Sequence, residues 1–377
     1  MFRYIDLFCG IGGFHVALDS LGGQCVFASD IDKECQYMYE KNFGIKPLGD
    51  IRSVEPDSIP DHDILCGGFP CQPFSNAGHR NAFEDTRGTL FQTIASIVEA
   101  KKPKIILLEN VKNIKTIQKG HVYRTIYKVF EDIGYTMKDV VLSPHAFGVP
   151  QTRERVYFIG VRNDLEHPGI PPPPVKNDTS ILLKKADSKY DISKELKSVF
   201  SAWDEIIPVI SSSKISVPII LDYFKEIETD DMKSWKKNYI RKNNALYEEH
   251  KTELDAWMEK YKILLEKRAV YRKLEWQTGG MKRTDTVLSN HFIQVRQSGI
   301  RVKKATTFPT LVAIVQTSIV GDQERYLTPR ECARLQSFPD SHTLHEKDRV
   351  AYKQLGNSVN VNVVEHVARF VVSRLLD

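Results

Sequence analysis

The sequence predicts an α/β fold, a mostly parallel sheet with helices on both faces, joined to a second and smaller domain. Two observations carry this. Through residue 164 short β-rich runs alternate with helical stretches, the signature of βαβ units. A proline run then ends the alternation, which is absent from about Pro174 to Gln323.

The strand runs are RYIDLF, QCVFASD, HDILCGGF, KIILLENV and RVYFIGV. Between them, Thr89 to Ala100 reads as a helix, because Leu90, Ile94, Ile97 and Val98 fall near helical spacing. His167 to Pro174, with four consecutive prolines from Pro171, marks a polyproline-like boundary. Beyond it Asn244 to Leu274 reads as one charged amphipathic helix, with Leu246, Leu254, Trp257, Tyr261 and Leu264 forming an apolar stripe that packs within its own domain. Gly279-Gly280 is expected to stop it. Thr328-Pro329 opens a further helix, and Val359 to Leu376 reads as the last one.

Composition narrows the class. The 41% hydrophobic and 27% charged residues exclude wholesale disorder. No apolar run approaches the roughly 18 residues of a membrane span. The opening MFRYIDLFCG lacks a basic and then apolar leader, so no signal peptide is expected. Cys9, Cys25, Cys35, Cys66, Cys71 and Cys332 are too unevenly spread for a disulfide framework, which points to a reducing, intracellular compartment. Net charge is +5, and the window Lys282 to Lys304 matches it alone, with Lys282, Arg283, Arg296, Arg301, Lys303 and Lys304 against Asp285. Interspersed with Asn290, His291, Gln294 and Gln297, these cations suit contacts to phosphates and base edges, although a solvated loop has the same composition.

The first strand runs into Asp6-Leu7-Phe8-Cys9-Gly10-Ile11-Gly12-Gly13 and then a helix. Glycines there let backbone N–H groups approach a ligand at the strand's carboxyl end. The spacing departs from GxGxxG, which disfavours a dinucleotide. Asp30, ending the second strand, suits two ribose hydroxyls, and Asp50-Ile51 suits an adenine amino group and ring face. A nucleoside cofactor without phosphate fits, and S-adenosylmethionine is one. In Gly67-Gly68-Phe69-Pro70-Cys71-Gln72-Pro73-Phe74-Ser75 a cysteine sits between two prolines, past the third strand's end. There its thiolate is available as a nucleophile, whereas Cys66 reads as a buried apolar side chain. Zinc is not expected, since no CxxC pair exists.

With these stand Glu109-Asn110-Val111, Gln151-Thr152-Arg153-Glu154-Arg155, Arg330-Glu331-Cys332-Ala333-Arg334 and Gln354-Leu355-Gly356-Asn357-Ser358-Val359. In this order, across essentially the whole chain, the set resembles the DNA (cytosine-5)-methyltransferase family of bacterial restriction–modification systems. The resemblance implies a Rossmann-like S-adenosylmethionine-dependent fold over residues 1–165 plus 326–377, and a target-recognition domain over 166–325. It implies a covalent bond from Cys71 to cytosine C6, with Glu109 at ring N3, Arg155 at O2 and Arg153 supporting the loop. Phe8, Gly10, Gly12, Asp30, Ile31, Asp50, Ile51, Pro70, Leu90, Asn357 and Ser358 would line the cofactor site. Ser75, Arg296, Arg301, Lys303, Lys304 and the Thr310-Leu311 pair would touch DNA.

The target base lies inside a duplex and has to be flipped out, and residues 72 to 88, with Gly78 and Gly88, suit a lid over it. Implied partners are double-stranded DNA and a restriction endonuclease sharing its site. The chain is expected to act as a monomer in the bacterial cytoplasm, near the nucleoid. Three rivals explain less. A tRNA cytosine methyltransferase of the related branch would carry a Cys-Phe-Thr signature, but this chain has no cysteine between Cys71 and Cys332. A DNA-binding protein without catalysis leaves the intact Cys71, Glu109 and Arg155 without purpose. A nicotinamide oxidoreductase rests on the glycine loop alone.

Overall fold

The computed structural model describes residues 1–70, 90–176, 180–183, 185–210, 218–278, 287–313 and 317–376. They divide into two compact units: Met1–Ile181 with Thr310–Ile314 and Pro329–Asp377, and Leu182–Pro309 with Val315–Thr328. The division thus falls later than residue 165, and the Thr310-Leu311 pair belongs to the first unit. The proline run is no linker. The Pro172 carbonyl lies 2.9 Å from Nε2 of His366, which seats the run on the last helix.

The first unit begins with β1 (Phe2–Leu7), α1 (Gly13–Asp19), β2 (Gly23–Ser29), α2 (Lys33–Phe43), β3 (Ile64–Gly68), α3 (Leu90–Lys101) and β4 (Ile105–Val111). It continues through α4 (His121–Asp132), β5 (Tyr135–Leu142) and β6 (Arg155–Arg162). The sheet order is β2-β1-β3-β4-β6-β5. Strands β1 to β4 pair with one another in parallel, while β6 runs antiparallel to both β4 and β5. RVYFIGV is therefore a strand as expected, but it is the sheet's reversed member. β5 escapes the sequence reading because Thr136, Lys138 and Asp139 interrupt its apolar residues.

Alternation along the central strands explains the layers. Ile106 and Leu108 of β4 join α3 and α4 in one core, through Ile94, Val98, Ile126 and Phe130. Leu107 faces the opposite way, toward Phe14 of α1. Val364 and Val367 close that side.

In the second unit, α5 (Lys194–Ile210) precedes β7 (Ile219–Ile220), α6 (Ser234–Glu249), α7 (Lys251–Lys260) and α8 (Lys262–Glu266). The strands β8 (Lys273–Gln277), β9 (His291–Arg296), β10 (Gly299–Lys304), β11 (Ile319–Val320) and β12 (Arg325–Tyr326) follow. They form a sheet of order β12-β11-β9-β10-β8-β7, in which only β10 and β8 pair in parallel.

The single helix expected over Asn244–Leu274 is corrected to three shorter helices and a strand. The chain leaves helical geometry at His250 (φ −123°, ψ 32°) and Tyr261 (φ −105°, ψ 11°). The reason is packing. In one straight helix Trp257 and Leu265 would point about 80° apart, yet both are buried in the core formed with α5. Trp257 donates its indole N–H to the Ala202 carbonyl at 2.7 Å, and Trp203 of α5 donates to the Tyr271 carbonyl at 3.0 Å. Leu274 lies in β8, paired with Ile300 of β10, because sheet pairing outweighs helical periodicity there. The apolar stripe itself behaves as expected: Leu246, Leu254 and Trp257 are buried, with Tyr261 and Leu264 against them. Gly279-Gly280 lies outside the described residues.

The chain returns to the first unit with α9 (Pro329–Leu335), α10 (Asp348–Asn357) and α11 (Val361–Leu375). Asn360 caps α11, its side chain accepting from the Val363 amide. No helix among the described residues is long and apolar enough to cross a membrane.

Candidate active site

A cavity of about 560 Å³ opens at the carboxyl edge of the parallel strands. Its walls come from the β1–α1 loop, the ends of β2, β3 and β4, the start of β6 and the α10–α11 junction. Ligands bind at this edge of α/β sheets because the strand ends diverge into loops there.

The glycines of the first loop divide their work. Gly10, at φ +54°, has open space where a side chain would point, so its backbone faces the cavity bare. Gly12, at φ +85°, is a packing glycine: a Cβ there would collide with the Phe43 ring. Gly12 therefore does not line the cavity, whereas Phe8, Gly10, Asp30, Ile31, Asp50, Ile51, Pro70, Leu90, Asn357 and Ser358 all do.

Asp30 holds the loop in place. One carboxylate oxygen accepts from the Gly10 amide and the other from the Asp32 amide, both at 2.8 Å. Burial pushes its pKa above the usual carboxylate range, against the pull of those amides. A carboxylate offers about four acceptor sites, so capacity for two hydroxyls remains. Asp50 sits at the rim with Arg52 clamped on it, and that guanidinium holds its pKa down. Ile51 is buried, while Ile31 is 69% exposed, an unusual apolar surface that suits a ring face. Open backbone at Gly10, spare acceptors on Asp30 and an apolar rim fit a nucleoside cofactor.

Across the same cavity lies Glu109, at the end of β4 and only 9% exposed. Desolvation raises its pKa, even though Arg155 Nε stands 3.1 Å from Oε1 and Arg153 is near. The reversed direction of β6 makes this possible. Its first residue, Arg155, pairs with Val111 at the edge where the parallel strands end. A parallel β6 would have sent Arg155 to the opposite edge.

Arg153 is a brace. Buried to 3% exposure, it donates to the carbonyls of Leu311 (2.8 Å), Gly356 (3.0 Å) and Ser358 (2.8 Å). Burial brings its pKa down to about 10. Thr310 adds a bond of 2.6 Å to the Thr152 carbonyl, and Gly356 admits the 312–313 backbone at a distance no side chain would allow.

Several site residues carried no role in the sequence reading. Asn110 donates to the Phe69 carbonyl at 2.9 Å, pinning the strand end that leads into Pro70 and Cys71. Its signal was a buried-type amide directly after Glu109. Lys353 lines the cavity and pairs with Asp32 at 2.7 Å. Its position four residues before Asn357, on the same helix face, was the available clue. Cys71, Ser75 and the segment 72–88 lie outside the described residues, as do Lys282, Arg283 and Asp285.

In the second unit, Arg301 pairs with Glu275 at 2.6 Å, and Gln294 is buried with its amide 3.1 Å from Ser318 Oγ. Arg296, Arg301 and Lys303 nonetheless crowd one another: burial and mutual repulsion lower the pKa values of Arg296 and Lys303. Lys304 is exposed at the end of β10.

The model of the C-5 cytosine-specific DNA methylase family matches residues 2–373. The type II methyltransferase M.HpaII of Haemophilus parainfluenzae is 35% identical, over 99% of this chain and 90% of its own length. M.HhaI of Haemophilus parahaemolyticus is 34% identical over 99% and 95%. In fold, the Entamoeba histolytica methyltransferase EhMeth superposes with a TM-score of 0.57 at 17% identity, covering 100% of this chain and 99% of its own. The family's methyl donor is S-adenosylmethionine, which the cavity residues fit. The chain belongs to the C-5 cytosine-specific DNA methylases, and its activity is that of a DNA cytosine-5 methyltransferase of the restriction–modification type.

Proposed function

We propose that this chain methylates C5 of a flipped-out cytosine within a short double-stranded DNA sequence, through a covalent Cys71–C6 intermediate. One observation carries the reading: Asp30, Gly10, Pro70, Glu109 and Arg155 line one continuous cavity, so cofactor-type and base-type residues face the same space.

Cytosine C5 is too weak a nucleophile to accept a methyl group unaided. Addition of the Cys71 thiolate to C6 forms an S–C6 bond and shifts the C5–C6 π pair toward C5 and the N3–O2 edge. Glu109, whose raised pKa favours the protonated form, supplies a proton at N3. Arg155 then turns to the O2 oxygen as negative charge grows there. S-adenosylmethionine supplies an electrophilic methyl group for C5, held by Gly10, Asp30, Ile31, Asp50, Leu90 and the Asn357-Ser358 pair. Loss of the C5 proton to a base returns its electron pair to the C5–C6 bond and expels the Cys71 thiolate, and N3 gives its proton back to the Glu109 carboxylate. Arg153 shapes this space and touches no reactant.

Arg296, Arg301, Lys303 and Lys304 supply phosphate contacts from the second unit, supported by the crowding of the first three charges. The enzyme works as a monomer beside an endonuclease of the same specificity. A duplex carrying 5-fluorocytosine tests the intermediate, because fluorine cannot leave as the proton does. The intact chain should form a denaturation-resistant complex with it and Cys71→Ala should not. A complex of equal yield with Cys71→Ala would place the nucleophile elsewhere.

A further inference from the structure

From Asn110 to Phe130 the chain carries five cations, Lys112, Lys115, Lys119, Arg124 and Lys128, and no acidic residue. The segment follows Glu109 directly, leaving the sheet at the catalytic edge. One 3₁₀ turn, Lys112–Lys115, and a kinked turn over Ile117–Gly120 carry it to α4. Its position is fixed at both ends. Lys112 pairs with Glu154, between the two arginines of the site, at 2.9 Å, and Lys115 pairs with Asp139 of β5 at 2.8 Å. Ile114 and Val122 are buried.

Three successive residues, Gln118 (φ 49°), Lys119 (φ 56°) and Gly120 (φ 79°), adopt the left-handed conformation. Only glycine does so without strain. Arg124 reinforces the turn, donating to the Lys119 carbonyl at 3.1 Å. A solvated connection has no need of two strained side-chain-bearing residues held this way, and such strain collects where geometry serves function. The exposed face holds Lys112, Asn113, Thr116, Gln118, Lys119 and Arg124.

We propose that this turn is a phosphate-binding platform of the catalytic unit, seating the DNA backbone next to the flipped nucleotide. The inference rests on the function proposed above and adds a contact surface outside the recognition unit. A cytosine entering the cavity beside Glu109 brings its flanking phosphates to this edge. There Lys119 and Arg124, beside Lys112 and Lys115 held in place by Glu154 and Asp139, meet them. Such contacts position the duplex and carry no sequence information, so they strengthen binding equally on all sequences.

The test compares duplex affinity across a salt series for the full chain, for Lys119→Gln and for the pair Lys112→Gln with Lys119→Gln. Lys128→Gln is the control, since it removes the same charge about 10 Å down α4 from the edge. Each lysine lost from the turn should make the slope of log K against log salt shallower by about 0.9, weakening target and non-target duplexes alike. The control should keep the parent slope, and unchanged S-adenosylmethionine affinity certifies each variant's fold. Slopes equal to the control's would overturn the platform while leaving the methyltransferase reading standing. A parent that binds no duplex would remove both.

Discussion

The two units solve different problems with the same chemistry of charge. In the first, charged groups are buried and committed: Glu109 faces Arg155, Arg153 binds three carbonyls, and Asp30 takes two amides. In the second, an apolar cluster around Trp203, Trp257 and Leu274 carries the fold, and cations gather on the β9–β10 hairpin. Catalysis needs groups fixed against one another at a cavity wall. Recognition needs a scaffold that presents a surface. The first demand leaves few residue types that satisfy a position, whereas the second leaves many.

Substitutions that separate the two demands sharpen the contrast. Glu109→Gln should cost the largest effect, about 10²- to 10⁴-fold in turnover. The loss should be greatest at acid pH, where the parent holds its proton, with DNA affinity changed little. A turnover that keeps the parent's pH profile would remove Glu109 from proton transfer. Trp257→Ala should cost about 3–5 kcal/mol of the second unit's stability, by leaving a cavity and removing the indole bond to the Ala202 carbonyl. Calorimetry of the full chain should show one transition shifted down while S-adenosylmethionine affinity persists. Loss of both together would mean that the two cores are not independent.

Arg153→Met comes next, at about 3 kcal/mol, because three buried carbonyls lose a charged donor. Its signature is a weaker cofactor dissociation constant as well as lower stability, since the Ser358 carbonyl it holds belongs to the cavity wall. The smallest effect concerns pH. Burial raises the pKa of Asp30, so the ligand-free chain gains stability as pH falls through that raised value, where the folded state binds the proton more tightly. Cofactor affinity should move the opposite way, weakening over the same range, because ribose hydroxyls donate to the ionised carboxylate. Titration calorimetry on the parent and on Asp30→Asn checks this, and a pH dependence that survives in Asp30→Asn would assign it elsewhere.

How much of this was legible in the sequence follows the same division. The glycine loop, the ends of β3 and β4 and the 151–155 motif announce themselves because chemistry restricts their residue types. What stayed hidden depends on long-range pairing. Nothing local reveals that β6 reverses, yet that reversal brings Arg155 to Glu109. Gly12 looked like a ligand glycine because it stands in the loop after β1, but its neighbour is Phe43, some thirty residues further along the chain. The helix over 244–274 failed for a related reason: periodicity records which residues are apolar, while Trp203 and Ile300 decide where the helix must turn. Arg301 was legible as a cation, but its partner Glu275 was not.

The central claim, that the cavity serves a sequence-specific methyl transfer to cytosine with Cys71 as the nucleophile, is tested most directly by cytosine-methylation sequencing. The DNA would come from a methylation-free host expressing the intact chain, with Cys71→Ala alongside. The account predicts one short motif fully modified at C5 with the intact chain and none with Cys71→Ala. Unmodified DNA from both, with the protein folded and binding S-adenosylmethionine, would contradict it, and so would modification that survives the loss of Cys71.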